Sequence, residues 1–538
     1  KADRKNIFTA GFAGPGWHNR GNYHPRAALI PIGEYSCFTA VAGHEWIAMK
    51  TASGIMRCFQ GANMDDKIYP LKTLPETAES IRSGKLSPVE LVTYYLSRIE
   101  ALDASLGAFR LVRPDQALLE ASAAADQIAA GNYLGTLHGI PFAVKDLFNV
   151  RGWPTTAGSP LLEKNIPDQD SHAVKALRKA GMIFTGKTNT VQFAYSGVGI
   201  NHHHGTPVNP WHEEPHVPGG SSSGSAVAVA AGMMPIALGT DTGGSVRIPA
   251  ALCGTTGFKP TVGRISRSGI HPLSWTMDSV GVLCRFVEDA ALVYEAMKGC
   301  DPADETTLMR SAGGAVRTLH MGARGMRIMV PEDVFWEDAD PDVTGAVLEA
   351  VEIFRALGAS VRHGRFPEAS EAMALNRNGL IIAAEAYCVN RRWVDEHFDE
   401  MDPVIAYRMI KGREIKAADY LADMRAWQEL RRRTAETLAD AEVVIAPTTP
   451  IPALPVGEVD ADNESYSKCN VSYLRNTSVG NILGLCGMSL PCGFTSRGLP
   501  IGLMLYGPPF GEEAVLRAGA AFQKATDWHM KLPPLFTR

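Results

Sequence analysis

No window of this 538-residue sequence approaches the roughly 18 consecutive apolar residues of a membrane helix. The N-terminus also lacks a charged start followed by an apolar core, so neither a membrane span nor secretion is expected. Lysine and arginine form no long block, and a formal net charge of -5 argues against a broad nucleic-acid surface. Cysteine is sparse. The nine residues, an odd number at irregular spacing, read as reduced thiols buried as small hydrophobes, which places the chain in the cytoplasm. No internal repeat or linker divides the chain, so one large domain is the simplest account. What is there is ordinary globular composition, 45% hydrophobic and 20% charged, and the expected partner is a small molecule. A homodimer stays open as the assembly.

Residues 1–63 are rich in Gly, His, Arg and aromatics without helical or alternating periodicity. They read as an N-terminal extension of unknown role, with Met64 a sensible natural start and the domain running over 64–538. From Ser87 the sequence SPVELVTYYLSRIEAL carries a capping serine, proline at the first helical position and Glu90 three residues after the cap. Leu91, Val92, Tyr95, Leu96, Ile99 and Leu102 then recur at helical spacing. Gln116 to Ala130 reads the same way. Gly139 to Val144 is a short apolar run that reads as a buried strand delivering Lys145 to its carboxyl end. Helix Ala173 to Ala180, strand Met182 to Thr185, helix Gly224 to Ala231 and strand Met234 to Leu238 follow in alternation. Arg327 to Val330, Ala346 to Leu357 and Val443 to Ala446 continue the pattern, and Leu375 to Leu438 reads as a mostly helical layer over the substrate pocket. The fold class is α/β: a central mixed, mostly parallel twisted sheet covered by helices on both faces.

The stretch Gly219 to Pro260 is the organising one. Two small-residue clusters, GGSSSGS from Gly219 and GTDTGGS from Gly239, flank an apolar run. Gly/Ser clusters are most often linkers, but a linker would not enclose a helix and a buried strand. The clusters are therefore ordered loops whose backbone NH groups can point into a cavity, as a developing oxyanion requires.

At these residues the sequence resembles the amidase signature hydrolases, over the whole stretch and in compatible segments from about Leu71 to about Leu532. The resemblance makes Ser245 of GGSVR the nucleophile, Ser221 of GGSS the proton relay and Lys145 of GIPFAVKDLF the base. It also implies a cis peptide at Gly220-Ser221. A lysine deprotonates a serine only when neutral, and burial among Phe142, Val144, Leu147 and Phe148 would depress its pKa. The alternative for Lys145 is a surface position or an ion pair with Asp146; for Ser221 it is a helix N-cap. The backbone amides of Thr242, Gly243, Gly244 and Ser245 are the expected oxyanion donors, each worth about 3 kcal/mol of transition-state stabilisation. Asp241 and Arg247 read as scaffold. Phe193, Ala194 and Tyr195 are expected to wall the acyl pocket, with bulky Trp275 narrowing it.

Three literal motif matches are refused. Gly181 to Thr188 fits the phosphate-loop pattern, but Met182, Ile183 and Phe184 look like the strand itself. His212 to His216, HEEPH, fits the zinc-protease pattern HExxH, but Pro215 makes the required helix improbable, and no metal or other cofactor is expected in catalysis. Gly220 to Gly224 fits GxSxG, which would make Ser222 the nucleophile of an esterase with His271 or His529. The preceding residues are no strand, so the elbow is missing.

The reading is a free-standing amidase of small to medium acyl or aryl amides, with esters or carbamates as further substrates and an apolar acyl pocket. The alternative within the resemblance is the catalytic subunit of a glutamyl-tRNA amidotransferase. That subunit usually carries an acidic residue and a DEFAMG-like run where this chain has Gln192 and FAYSG.

Overall fold

The capping signals at Ser87 do what the residue types dictate. In the helix Pro88–Leu106, Ser87 Oγ accepts from Val89 N at 3.2 Å and Glu90 takes the Ser87 amide at 3.1 Å. Gly107 ends the helix in the left-handed region, φ 60°. The computed structural model describes residues 69–308, 314–376 and 379–534, which fall in one unit spanning 68–538. The expected extension, 1–63, lies outside the described residues.

The strands in chain order are β1 (Phe109–Val112), β2 (Pro141–Lys145), β3 (Ile183–Thr188), β4 (Ile236–Asp241), β5 (Thr256–Lys259) and β6 (Ser279–Cys284). They continue as β7 (Arg327–Pro331), β8 (Ser360–Gly364), β9 (Val443–Pro447), β10 (Cys486–Phe494) and β11 (Pro500–Gly507). All eleven lie in one sheet, ordered β1-β3-β2-β4-β6-β5-β10-β11-β9-β7-β8. Parallel pairing is confined to β3-β2-β4 and β8-β7-β9. The pairings β1-β3, β4-β6, β6-β5, β5-β10, β10-β11 and β11-β9 are antiparallel. The sheet is thus mixed, as expected, but not mostly parallel: six of its ten pairings are antiparallel, because strands joined by helices are interleaved with strands that pair as hairpins or across long separations.

Alternation along the strands explains the two helical layers. Ile328 and Val330, Val443 and Ile445, and Leu503 and Leu505 enter the largest core cluster. Met329, Val444, Ala446, Met504 and Tyr506, one residue out of phase, enter another cluster with Trp427 and Leu430 of the helix Ala417–Thr437. Both faces of these strands are therefore apolar, as a sheet covered on both sides demands. The expected helical layer is present as Leu380–Glu396, Pro403–Met409 and Ala417–Thr437. All described cysteines are free. No helix among the described residues is long and apolar enough to cross a membrane.

Candidate active site

The parallel neighbours β2 and β4 bring the first two functional groups together. Val144 is in register with Leu238, so Lys145, ending β2, lies alongside the end of β4. Its Nζ is fully buried and bonds Ser221 Oγ at 2.8 Å and Thr240 Oγ1 at 2.9 Å. Burial lowers the Lys145 pKa from 10.5 to about 7, against a smaller upward pull from the Asp278 and Asp241 carboxylates. Asp146 does not pair with Lys145. Asp146 stands in the turn just after β2, and its carboxylate forms an ion pair with Lys187 Nζ at 2.8 Å. Lys187 also donates to Phe148 O at 2.6 Å, and burial lowers its pKa against the opposing pull of Asp146.

Ser221 follows a cis peptide from Gly220, as the resemblance implied. It stands just before the helix Ser223–Ala230, whose N-cap is Ser222. The Ser221 carbonyl is fixed by Thr190 Oγ1 at 2.8 Å.

Ser245 lies in the loop between β4 and the helix Arg247–Cys253, almost fully buried. Its carbonyl accepts the Ser222 amide at 3.1 Å, which ties the two serine loops together. Among the described residues its hydroxyl makes no hydrogen bond, so the link between the two loops is this backbone bond to Ser222 and not a bond between the Ser221 and Ser245 side chains.

Asp241 organises that loop. Its carboxylate accepts from Gly244 N at 2.9 Å and Val246 N at 3.1 Å, and from Arg247 Nε at 3.0 Å. Asn481 Nδ2 adds a bond at 2.9 Å, and Arg247 reaches on to Tyr506 OH at 3.2 Å. The pair is completely buried, and although burial raises the carboxyl pKa, Arg247 holds it well below the ordinary range. Asp241 and Arg247 are thus the scaffold pair that was expected. One expectation needs correction: the Gly244 amide is already committed to Asp241. The amides of Thr242, Gly243 and Ser245 have no acceptor among the described residues. Gly244 adopts φ +138°, and a Cβ there would come within 2.1 Å of Thr477 Oγ1, so only glycine fits.

Two cavities approach this centre. One, of about 400 Å³, reaches the Ser245 loop at Gly243 and is lined by Tyr195, Ile382, Arg408, Lys411 and Arg475. The other, of about 230 Å³, reaches Thr240 and Asp278 and is lined by Trp275 and the Arg267–Asp304 ion pair. The expected pocket walls therefore separate. Tyr195 lines the larger cavity, under the guanidinium of Arg408 at 4.3 Å from its ring. Trp275, 44% exposed, lines the smaller one. Phe193 and Ala194 line neither: they pack in the core below, with positive φ values of 50° and 59°. Nor is the larger cavity purely apolar, since three cations border it.

Sequence reasoning did not single out Thr240, Asp278 or Lys187. Asp278 is buried, receives the Thr242 hydroxyl at 2.5 Å and the Leu273 amide at 2.8 Å, and has its pKa raised by burial. Thr240 was visible inside the GTDTGGS cluster, but its role depends on the β2-β4 register, which no local pattern encodes.

The refused motifs sit as their local chemistry requires. The residues Ile183–Thr188 of the phosphate-loop match are β3 itself. The HEEPH segment is not helical. Ser222 Oγ donates to Thr240 O at 3.3 Å, and His271 bonds Asn390 Oδ1 at 3.1 Å, so this serine-histidine pairing is not formed.

Known proteins are similar to this chain over nearly their whole length. A glutamyl-tRNA(Gln) amidotransferase subunit from Geobacter sp. (strain M21) is 35% identical over 489 residues, 86% of this chain and 99% of that protein. An amidase of Pseudomonas putida is 37% identical over 467 residues, 86% of this chain and 98% of its own length. The crystal structure of a peptide amidase in complex with the competitive inhibitor chymostatin matches with a TM-score of 0.75 and 29% identity, covering 84% of this chain and 97% of that one. With this mixed α/β domain, these relatives place the chain in a class of enzymes that act on C–N bonds. The family model described as Amidase matches residues 90–516, and the chain belongs to that family.

Proposed function

We propose that this chain hydrolyses the C–N bond of small to medium acyl amides through an acyl-enzyme, with Ser245 as nucleophile, Ser221 as relay and Lys145 as base. The observation that carries this reading is the buried Lys145 amine, its pKa lowered to about 7, bonded at 2.8 Å to the Ser221 hydroxyl. Ser245 Oγ attacks the carbonyl carbon, giving its proton to Ser221 while Ser221 passes its own to Lys145. The developing oxyanion takes the amides of Thr242, Gly243 and Ser245, which have no acceptor of their own among the described residues. When the C–N bond breaks, the proton returns through Ser221 to the leaving nitrogen. Water then attacks the ester with the same relay, releasing the acid and restoring Ser245.

The larger cavity supports an acyl part with an anionic substituent. Arg408, Lys411 and Arg475 line it, and none of its described lining residues carries a carboxylate. An Arg475 nitrogen, Nη2, is buried with no hydrogen-bond partner, so an anion there would satisfy a donor otherwise left bare. A free amino acid amide fits less well, because its ammonium would meet like charge.

The second reading is a partner-dependent amidotransferase subunit, favoured by the relatives that carry that description. One experiment separates them: a panel of amides, esters and carbamates, with glutamine included, assayed with the wild type and Ser245→Ala in the absence of any partner. Turnover of simple amides that vanishes in Ser245→Ala supports the hydrolase. A silent panel favours the subunit, and matched ester and amide rates decide whether the site is selective for C–N bonds.

A further inference from the structure

The segment from His212 to His216 takes no part in the chemistry above, yet it gathers metal-ligand atoms without a helix. One nitrogen from each of His212 and His216 and one carboxylate oxygen of Glu214 lie within 4.8 Å of one another. The two rings lean together, centroids 4.3 Å apart. Pro215 rules out the helical HExxH arrangement, so the two histidines converge through a turn instead.

The protonation pattern suits a cation. His216 is fully buried, and its Nδ1 lies 2.8 Å from the Glu214 carbonyl. A carbonyl only accepts, so the proton sits on Nδ1 and Nε2 is the accepting nitrogen. A metal-bound histidine is held the same way, its second nitrogen donating to a carbonyl that fixes the tautomer. His212 Nδ1 accepts the Glu214 amide at 3.1 Å, a bond that a metal ion on that nitrogen would replace. Facing His216 Nε2 is a cation already, the guanidinium of exposed Arg497 at 3.4 Å, a side chain long enough to swing aside.

The loop is also anchored. The Asn209 amide bonds His216 O at 3.1 Å, Val217 N bonds Leu454 O at 2.9 Å and Val456 N bonds Pro215 O at 2.8 Å. Ligands on a fixed backbone lose little freedom on binding.

We propose that His212, Glu214 and His216 form a loop-borne, non-catalytic site for one divalent transition-metal ion of the zinc type, with water completing a tetrahedral shell. Two imidazoles and one carboxylate suit Zn²⁺ and its neighbours, whereas Mg²⁺ and Ca²⁺ seek oxygen alone. The site shares no hydrogen bond with Lys145, Ser221 or Ser245 among the described residues. Four residues separate His216 from Ser221, so an ion here would stiffen the strap leading to Ser221.

The test uses the full chain stripped with a chelator and titrated with ZnCl₂ against a chromophoric competitor, with thermal melting in parallel. One ion bound per chain, a rise in Tm and an intense visible band on Co²⁺ substitution are expected. The variant His212→Ala/Glu214→Gln alters partly exposed side chains and spares buried His216. It should weaken binding by more than the about tenfold that losing an outer-shell partner alone costs, while keeping amide turnover and the metal-free Tm. His203→Ala/His204→Ala should bind as the wild type does. Stripped wild type that takes up no Zn²⁺, an equal response to Mg²⁺, or Zn²⁺ binding that survives His212→Ala/Glu214→Gln would each overturn the proposal.

Discussion

Lys145 Nζ donates to the Ser221 hydroxyl over 2.8 Å in a completely buried position, with no carboxylate among its hydrogen-bond partners. Burial therefore acts on the amine without a contact ion pair to cancel it, and its pKa falls to about 7. As the proposed base it must be unprotonated to work, so kcat/KM should rise with pH through about 7 and level off above it. Lys145→Ala should lose about 10²–10⁴-fold in kcat and lose this acid limb. A pH profile that keeps an unchanged limb in Lys145→Ala would assign the titration to another group.

Thr240 gives a finer test of the same amine. Its Oγ1 lies 2.9 Å from Lys145 Nζ, one of two polar contacts that stabilise the charged form. In Thr240→Val that acceptor is lost, the ammonium becomes harder to form, and the acid limb should move to lower pH. The shift of the midpoint, read from kcat/KM against pH, carries the sign; a move upward would mean that the hydroxyl acts mainly as a donor to the neutral amine.

Asp241 and Arg247 make a different kind of prediction, on stability. The Asp241 carboxylate holds two loop amides and the Arg247 guanidinium, all fully buried. Asp241→Asn leaves a buried cation uncompensated and should cost about 3–5 kcal/mol, seen as a lower denaturant midpoint. Activity should fall with it, because Gly244 and Val246 are the backbone on either side of Ser245.

The fold was legible where one physical signal dominated. The Ser87 capping box, the buried run ending at Lys145 and the apolar strands Ile183–Thr188 and Val443–Pro447 announce themselves by local pattern. β5, β6, β10 and β11 did not, and they supply much of the antiparallel pairing. β6 contains Gly281, and β10 contains Gly487, Pro491 and Gly493 with a register shift between Pro491 and Gly493. Glycine and proline weaken strand signals, and pairing across two hundred residues leaves no local trace. The site divides in the same way. Lys145, Ser221 and Ser245 lie in recognisable motifs, whereas Asp278 meets Thr242, and Arg408 meets Tyr195, only after the chain has folded.

Charge in the larger cavity offers the last test, because it separates binding from chemistry. Arg475 Nη2 is buried without a partner, and exposed Lys411 makes no hydrogen bond or ion pair among the described residues. Arg408, by contrast, already donates to Tyr195 O at 2.5 Å and stacks on its ring, so removing it would disturb the wall itself. Arg475→Gln and Lys411→Met are therefore the cleaner probes. A charge-assisted hydrogen bond contributes about 1.5–3 kcal/mol, so each variant should raise KM for amides of anionic acyl groups by about tenfold or more. Neutral acyl amides should be nearly unaffected, and kcat should hold for both, since the contact is equal in ground and transition states. Equal losses for charged and neutral substrates would mean that these cations shape the cavity and do not read the substrate.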